Sequence, residues 1–210
     1  HGLQTALGCR DGLFLGQRRL ASGGALGYDI GERMLINRTV QAAVFETSPR
    51  HILTEGLPYD RCQVGVVMCM PGPQGLEDLY ITEADQMPNI VRTQVDVVLP
   101  EGAAVLNADD AEVLALADYA DGEVLLYSLD PQSPALKAHR ARKGRVALAR
   151  GDRIVLAQGP EEFVLVNLSA PEGVGLGPTR RFLPGFVHPG TADVFSAVWR
   201  DLGQALQEAP

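Results

Sequence analysis

Short, continuous apolar runs constrain the fold of this chain more than any other feature. They occupy residues 42–45, 64–68 and 102–106, and polar residues or a proline follow each of them. Unbroken apolar runs of this length are typical of strands that are covered on both faces, as in a parallel sheet. Helical patterns separate the runs. This alternation predicts an α/β fold with a mainly parallel sheet and flanking helices.

The segments around these runs predict the remaining elements. An Asp-Gly pair within residues 3–20 predicts a β-hairpin. Three short strands at 146–149, 154–157 and 163–168, separated by glycine turns, predict an antiparallel appendage to the main sheet. Helices are predicted at 30–41, at 52–56, at 76–98 with an interruption near Pro88, and at 134–143. A further helix is predicted through Val113, Leu116 and Tyr119, with Asp109 or Asp110 as its N-cap.

The chain divides into two predicted parts. Residues 1–172 contain the strands and form the α/β domain, whereas 173–210 are a Pro/Gly-rich connector followed by one helix. Val194, Val198, Leu202 and Leu206 repeat at helical spacing in that last segment. We expect this apolar stripe to pack against the same chain or against a partner, such as a second copy.

Charge and cysteine content exclude several classes of function. The formal charge of -8 argues against a general nucleic-acid binder, which needs a basic face. No apolar run approaches the ~20 residues that span a bilayer, so no membrane association is expected. Three cysteines are an odd number at no metal-like spacing, and reduced thiols in the cytoplasm suit them best.

Polar residues at the strand ends are the candidate ligand site, because α/β proteins bind ligands at the carboxyl ends of their strands. Glu46, Cys69 and the segment Asn107 to Asp110 occupy such ends. Glu46 either ligates Mg²⁺, which prefers oxygen ligands, or caps the turn that follows it. The sequence leaves these two alternatives open.

Catalytic motifs are missing from the sequence. No glycine-rich phosphate loop of the form GxxxxGK[ST] is present, and neither Lys137 nor Lys143 follows a glycine loop. No GxSxG elbow marks a nucleophile. His51, His139 and His188 are isolated, and Cys62 and Cys69 are expected to be packing thiols. We therefore predict no catalytic residue.

Several segments resemble the Mur-ligase-like part of the cyanophycin synthetases. They are FET at 45–47, ILTEGL at 52–57, DRC at 60–62, AAVLNADD at 103–110 and the DGLFLGQR hairpin at 11–18. Their order and spacing agree over residues 5 to 170. The resemblance implies a Mur ligase central-domain-like fold and a family that uses ATP and Mg²⁺ to join amino acids through acyl phosphates, with an ATP-grasp module as a second catalytic unit.

Carried over by position, the resemblance covers the framework more than the reacting groups. It implies that Glu46 is the metal-side glutamate and that Asn107, Asp109 and Asp110 lie on the nucleotide side. The family's phosphate loop would precede His1, and its asparagine and aspartate-histidine pair are replaced within residues 68–75. Arg92 falls near the family's helix lysine, and a permanently charged arginine cannot form the carbamate that lysine forms.

Two functions are compatible with this pattern. The first is a catalytically silent, degenerate domain with a structural or assembly role, which needs no cofactor by itself and pairs with a second copy or with an ATP-grasp module. The second is a fragment of an ATP-dependent amide ligase whose phosphate-binding lobe lies upstream, as a chain starting at a hairpin would suggest. A third alternative is a small-molecule binding module that reuses the cleft at Asn107 to Asp110.

Overall fold

The computed structural model describes residues 3–22 and 27–167. The chain forms two compact units. One comprises His1–Cys62 and Pro71–Val97, and the other comprises Gln63–Met70 and Val98–Pro210. The predicted connector and C-terminal helix at 173–210 lie outside the described residues.

A four-stranded sheet forms the first unit, with strand order β3-β2-β1-β4. Its strands are β1 (Thr5–Cys9), β2 (Gly12–Leu15), β3 (Arg18–Ser22) and β4 (Ala42–Phe45). Consecutive strands β1, β2 and β3 are antiparallel, which confirms the hairpin, and β4 runs parallel to β1. All four residues of β4 are only half-buried. The expectation that 42–45 is covered on both faces was wrong, because β4 is the last strand in the order of this sheet.

Short helices complete the first unit. They are α1 (Tyr28–Leu35), α2 (Pro49–Thr54), α3 (Met87–Val91), α4 (Thr93–Asp96) and two 3-10 turns at Glu77–Leu79 and Ala84–Gln86. Met34 of α1 packs with Ala6 and Leu13 of the sheet to form a small apolar core. This contact places α1 against the hairpin.

Two predicted helices differ from the observed ones for local reasons. The helix predicted at 30–41 ends at Leu35, because the Asn37 side chain accepts the Thr39 amide at 3.0 Å and its carbonyl accepts the Val40 amide at 2.9 Å, forming a turn. The long helix predicted at 76–98 is a series of short pieces. Pro88 lies in the first turn of α3, where a missing N–H leaves no helical bond unmade.

A six-stranded sheet forms the second unit, in the order β10-β9-β8-β7-β6-β5. Its strands are β5 (Cys62–Val67), β6 (Val98–Asn107), β7 (Glu123–Ser128), β8 (Arg145–Arg150), β9 (Arg153–Gln158) and β10 (Glu161–Asn167). Strands β6, β7 and β8 are parallel, whereas β8, β9 and β10 are antiparallel. The α/β class is therefore confirmed, with a mixed sheet.

The strand partners differ from the sequence-based expectation. The run at 42–45 lies in the first sheet and the runs at 64–68 and 102–106 in the second. The predicted antiparallel strands are present as β8, β9 and β10, and they continue the main sheet because β8 pairs with both β7 and β9. Apolar runs identify strands but carry no information on which strand they pair with, since any two such edges can form a ladder.

Two helices of the second unit connect its parallel strands. They are α5 (Ala111–Ala115), continued by a 3-10 turn at Leu116–Tyr119, and α6 (Pro134–Ala141). Val105, Leu125, Tyr127, Ala147 and Ile154 form the core cluster of the sheet, and none is more than 1% exposed. This cluster fixes the ends of β6 and β7, where the candidate site lies.

Candidate functional site

The polar residues predicted as a ligand site lie where β5, β6 and β7 end. Asn107 is the last residue of β6 and is paired in register with Tyr127 of β7. Met68 directly follows β5. The sheet order β7-β6-β5 brings these three ends together, so the segments after β5 and β6 can interact directly.

Asn107 connects β6 to the end of β5. Its Nδ2 donates a hydrogen bond to the Met68 carbonyl oxygen at 2.9 Å. Its Oδ1 accepts the backbone amide of Asp109 at 3.0 Å, a local turn that asparagine side chains commonly form. Both polar atoms of the amide therefore have partners within the protein.

Asp110 has two structural roles. It is the N-cap of α5, where its Oδ1 accepts the amides of Glu112 at 3.0 Å and Val113 at 3.2 Å. Its Oδ2 accepts the Met70 amide at 2.8 Å. The sequence offered Asp109 or Asp110 as the cap, and the structure identifies Asp110.

Asp109 joins β6 to the end of β7. Its Oδ1 accepts a hydrogen bond from the Ser128 hydroxyl, and its Oδ2 accepts the Leu129 amide at 3.0 Å. Ser128 is 0% exposed, and its hydroxyl also accepts the Asp130 amide at 2.9 Å and lies 3.1 Å from the Asp130 carbonyl oxygen, so Asp109 is one of several partners of this buried hydroxyl. Asn107, Asp109 and Asp110 thus form a polar brace, the name we use below for these three residues.

Sequence reasoning missed the partners of the polar brace. Ser128 ends the apolar run of β7, and a buried serine at a strand end is the one signal that could have identified it. The other partners, at Met68 and Met70, are backbone groups about forty residues away along the chain. Backbone groups leave no mark in a sequence, so no pattern could have identified them.

Burial and nearby carboxylates raise the pKa of two groups beside the polar brace. The pKa of Tyr127 is raised mainly by burial, and Cys69, Asp109 and Asp110 add to this effect. Partial desolvation of the sulfur, and then Asp110, raise the pKa of Cys69, although this residue as a whole is exposed. A raised pKa keeps the thiol protonated at neutral pH, which disfavours a nucleophilic role.

Glu46, the predicted metal ligand, lies in the first unit at the end of β4. Its Oε2 accepts the Arg10 amide at 2.8 Å, and its own amide donates to the Gly8 carbonyl at 2.8 Å. The cap of the following helix α2 is Ser48, whose side chain accepts the His51 amide. Ser48 is therefore the cap of α2, and the Glu46 carboxylate holds the turn of the hairpin through the Arg10 amide.

The isolated histidines have local partners. The His51 Nδ1 lies 2.7 Å from the Ser48 hydroxyl within the first turn of α2. The His139 Nε2 donates to the Val124 carbonyl at 2.9 Å. His188 lies outside the described residues. Neither described histidine is paired with a carboxylate in the way a catalytic triad requires.

None of the three cysteines forms a disulfide, and they differ in exposure. Cys9 is buried, Cys62 is half-buried and Cys69 is exposed. Cys9 and Cys62 are packed within the protein. The expectation that Cys69 is a packing thiol was wrong, because this residue lies beyond the end of β5 and is exposed. Within residues 3–22 and 27–167 no group of three or more His, Cys, Asp or Glu side chains could hold a metal ion.

Parallel strands with helices between them define an α/β fold, and polar side chains collect at the ends of its strands. Curated proteins similar to this chain are cyanophycin synthetases. The one from Synechocystis sp. is 33% identical over 165 residues, which are 76% of this chain and 19% of that protein. Those from Crocosphaera subtropica and Trichormus variabilis are 33% and 31% identical over 150 residues, or 71% of this chain and 17% and 16% of theirs.

These similarities confirm the resemblance that the sequence motifs indicate: the chain is similar to one part of the cyanophycin synthetases. It spans less than a fifth of the length of these curated relatives. No family model matches the chain. Among the described residues, no helix is both long enough and apolar enough to cross a membrane.

Proposed function

We propose that this chain is a catalytically degenerate domain of the Mur-ligase and cyanophycin-synthetase type, with a structural or assembly role. The observation that carries this proposal is the polar brace. Asn107, Asp109 and Asp110, which the resemblance assigns to the nucleotide side, direct their polar atoms to strand ends and to the first turn of α5. Residues used in this way stabilise the fold whether or not a nucleotide is present.

The scarcity of suitable cations also supports a silent domain. Phosphoryl transfer depends on positive groups that neutralise the moving phosphate, and loss of one such contact costs about 2–4 kcal/mol of transition-state stabilisation. The sequence has only two lysines, Lys137 and Lys143, and no phosphate-loop motif. Both lysines belong to the segment of α6 and its following turn, away from the ends of β5 and β6 in sequence.

The Mg²⁺ implied by the resemblance fits this chain poorly by itself. Glu46 has one carboxylate oxygen on the Arg10 amide, and among the described residues it belongs to no group of three or more His, Cys, Asp or Glu side chains that could hold a metal ion. Mg²⁺ bound through one carboxylate takes its other ligands from water and substrate phosphates. Glu46 can therefore serve as a magnesium ligand only if other groups hold the phosphates.

A calorimetric titration of ATP with excess Mg²⁺ into the 210-residue chain tests the proposal. We expect no saturable heat at millimolar nucleotide, and the same trace from the Asn107→Ala variant. Tight binding that requires Mg²⁺ and weakens in Asn107→Ala or Glu46→Gln would contradict the silent-domain proposal. Retained folding of both variants, checked by circular dichroism, makes the comparison valid.

A second candidate function is that the chain is part of an ATP-dependent amide ligase whose phosphate-binding lobe lies upstream. The favouring observation is that the similarity covers only a small part of relatives that are named synthetases. The gene sequence before His1 should then encode a strand followed by GxxGKT. The longer product should form amide bonds with ATP, and Glu46→Gln should reduce that activity.

The assembly role implies a partner, for which we propose a second copy of this chain or an ATP-grasp module. Light scattering after size-exclusion chromatography distinguishes these partners. A mass of twice 22.5 kDa or more would support self-association, whereas a mass of 22.5 kDa would leave the ATP-grasp module as the partner. A cytoplasmic location remains part of the proposal, and three cysteines without a disulfide support it because a reducing compartment keeps thiols reduced.

A further inference from the structure

Strand β10 forms an edge of the six-stranded sheet. It pairs with β9 on one side, and within the described part of the chain no strand pairs with its other side. The turn at 159–160 has two residues, so Glu161 is the hydrogen-bonded partner of Gln158. Alternate residues of β10 then bond to β9, and the backbone groups of Glu162 and Val164 point away from the sheet. This edge therefore offers donors and acceptors to a further strand.

Two apolar rows of the sheet run out to this edge. Residues paired in register lie on the same face, and neighbours along a strand lie on opposite faces. The rows are Tyr127, Ala147, Leu156 and Phe163 on one face, and Leu148, Val155 and Val164 on the other. The members before β10 are buried or half-buried, whereas Phe163 is 55% exposed and Val164 is 51% exposed. Each row therefore ends in a large apolar side chain that is half open to solvent.

The charges at the start of β10 do not prevent pairing. The Glu162 carboxylate accepts hydrogen bonds from the guanidinium groups of Arg140 at 2.7 Å and Arg150 at 2.9 Å, so its charge is neutralised within the same chain. Lysine and proline, which commonly protect edge strands, are absent from residues 161–167. A bulge after Val164 ends the regular part of the strand. The straight portion available for pairing is therefore 161–164.

We propose that β10 pairs antiparallel with β10 of a second copy of this chain, around a twofold axis at Phe163. A twofold axis perpendicular to the sheet keeps paired residues on the same face, so a symmetric register is centred on one residue. A centre at Glu162 would oppose two glutamates. A centre at Phe163 opposes two aromatic rings and places each Glu162 opposite Val164, with no like charges facing each other. The charge pattern therefore selects the register at Phe163.

The second copy continues both apolar rows across the axis. Each exposed Phe163 ring gains an aromatic neighbour on its own face of the sheet, and the backbone groups of Glu162 and Val164 exchange hydrogen bonds with those of the second copy. Stable interfaces bury about 1,200–2,000 Å² in total, and this short edge buries less. We therefore expect a dimer that forms at micromolar concentration and dissociates on dilution. The inference rests on the assembly role proposed above and identifies its surface and its partner.

Sedimentation velocity of the 210-residue chain over a series of concentrations tests this inference. We expect the mass to rise from 22.5 kDa at low concentration to twice that value at high concentration. Phe163→Glu places two carboxylates opposite each other across the axis and should weaken dimerisation about tenfold or more. Tyr80→Glu is the matched control, because it makes the same change at an aromatic residue of the first unit that is 87% exposed. It should dimerise like the unmodified chain.

A disulfide crosslink tests the register. Because the backbone groups of Phe163 bond to β9, the two Phe163 residues form a non-hydrogen-bonded pair, whose Cα atoms lie about 4.5 Å apart and within disulfide reach. Phe163→Cys should therefore give a covalent dimer under mild oxidation by dissolved oxygen. The exposed Cys69 of the unmodified chain sets the background. Tyr80→Cys should not exceed that background, and circular dichroism checks that each variant is folded.

Three results would overturn the inference: a mass of 22.5 kDa at every concentration, equal dimerisation of Phe163→Glu and Tyr80→Glu, or equal crosslinking of Phe163→Cys and Tyr80→Cys. A mass that keeps growing beyond the dimer would also contradict it, because a twofold pair is closed. The ATP titration tests the proposed function separately. A dimer that binds ATP with Mg²⁺ would contradict the silent domain alone, and a monomer that binds no ATP would contradict this inference alone.

Discussion

At the scale of single residues, Asp110 shows how one carboxylate can hold two elements. One oxygen caps α5 through the Glu112 and Val113 amides, while the other accepts the Met70 amide after β5. A side chain that satisfies three backbone donors is hard to replace, because each donor left without an acceptor loses free energy of folding. Folding alone therefore explains why an aspartate stands at this position.

Asp110→Ala should lower the free energy of unfolding by about 2–3 kcal/mol, since it removes the helix cap and exposes the Met70 amide. Urea unfolding followed by circular dichroism measures the change. Asp121→Ala, at an exposed turn residue of the same unit, should change it by less than about 0.5 kcal/mol. Equal effects of the two substitutions would show that Asp110 is not structural.

The ionisation of Tyr59 should change the free energy of unfolding at alkaline pH. Its ring stacks on Phe45 with ring centroids 6.3 Å apart. Burial, and then the charge of Cys62, raise the pKa of Tyr59 to about 12. In the unfolded chain the phenol ionises near its ordinary value of 10, so the folded state holds the proton more tightly.

This difference predicts a loss of stability at alkaline pH. The contribution of Tyr59 is complete below pH 10 and is lost as pH rises through about 12, by at most about 2–3 kcal/mol. Urea midpoints measured across this range should fall less steeply in Tyr59→Phe than in the unmodified chain. Tyr80→Phe, at a residue that is 87% exposed, should leave the slope unchanged. Parallel slopes in all three proteins would contradict the raised pKa.

The positions of the polar brace could be predicted from the sequence, but their contacts could not. Asn107, Asp109 and Asp110 follow an apolar strand, which is enough to place them at an edge of the sheet. Their acceptors and donors at Met68, Met70 and Ser128 become neighbours only through sheet pairing. The roles of residues that depend on such long-range contacts can be established only from the structure.

At the scale of elements, β6 is the longest described strand of the second unit. It lies between β5 and β7, and Ala103, Ala104, Val105 and Leu106 are all at most 1% exposed. Gly102 lets it approach β5 closely, because a Cβ there would lie 2.4 Å from the Gln63 carbonyl oxygen. Backbone atoms in a paired strand cannot move aside as a flexible side chain can.

Gly102→Ala should therefore separate β5 from β6 and lower the free energy of unfolding by about 1–3 kcal/mol, the usual cost of overpacking. Chemical denaturation measures the loss. Glu101→Ala, one residue away and exposed, should have an effect near zero. A stable Gly102→Ala protein with unchanged hydrogen-exchange protection in β5 would contradict the close approach.

Most strands could be predicted from the sequence, whereas helix ends and sheet partners could not. Unbroken apolar runs identified β4, β5, β6 and the meander because burial selects such residues. The end of α1 depends on a turn made by the Asn37 side chain, which competes with helix locally. The pairing of β4 with β1 depends on the whole chain, and no local pattern specifies it.

At the scale of the whole molecule, the chain keeps a framework similar to part of the cyanophycin synthetases while its sequence lacks a phosphate loop. The silent-domain proposal attributes this similarity to the buried strands and the polar brace, which maintain the fold. A ligand that binds only the folded state at a hundred times its dissociation constant stabilises it by about 2.7 kcal/mol, enough to raise Tm by several degrees. Nucleotide binding would therefore be detectable as a rise in Tm.

The most direct test of this account is the Tm of the 210-residue chain with and without millimolar ATP and Mg²⁺, measured beside Asn107→Ala. We predict that ATP with Mg²⁺ leaves Tm unchanged in both proteins, and that Asn107→Ala melts lower than the unmodified chain under either condition. A rise in Tm that requires Mg²⁺ and disappears in Asn107→Ala would contradict it, because Asn107 would then hold a nucleotide.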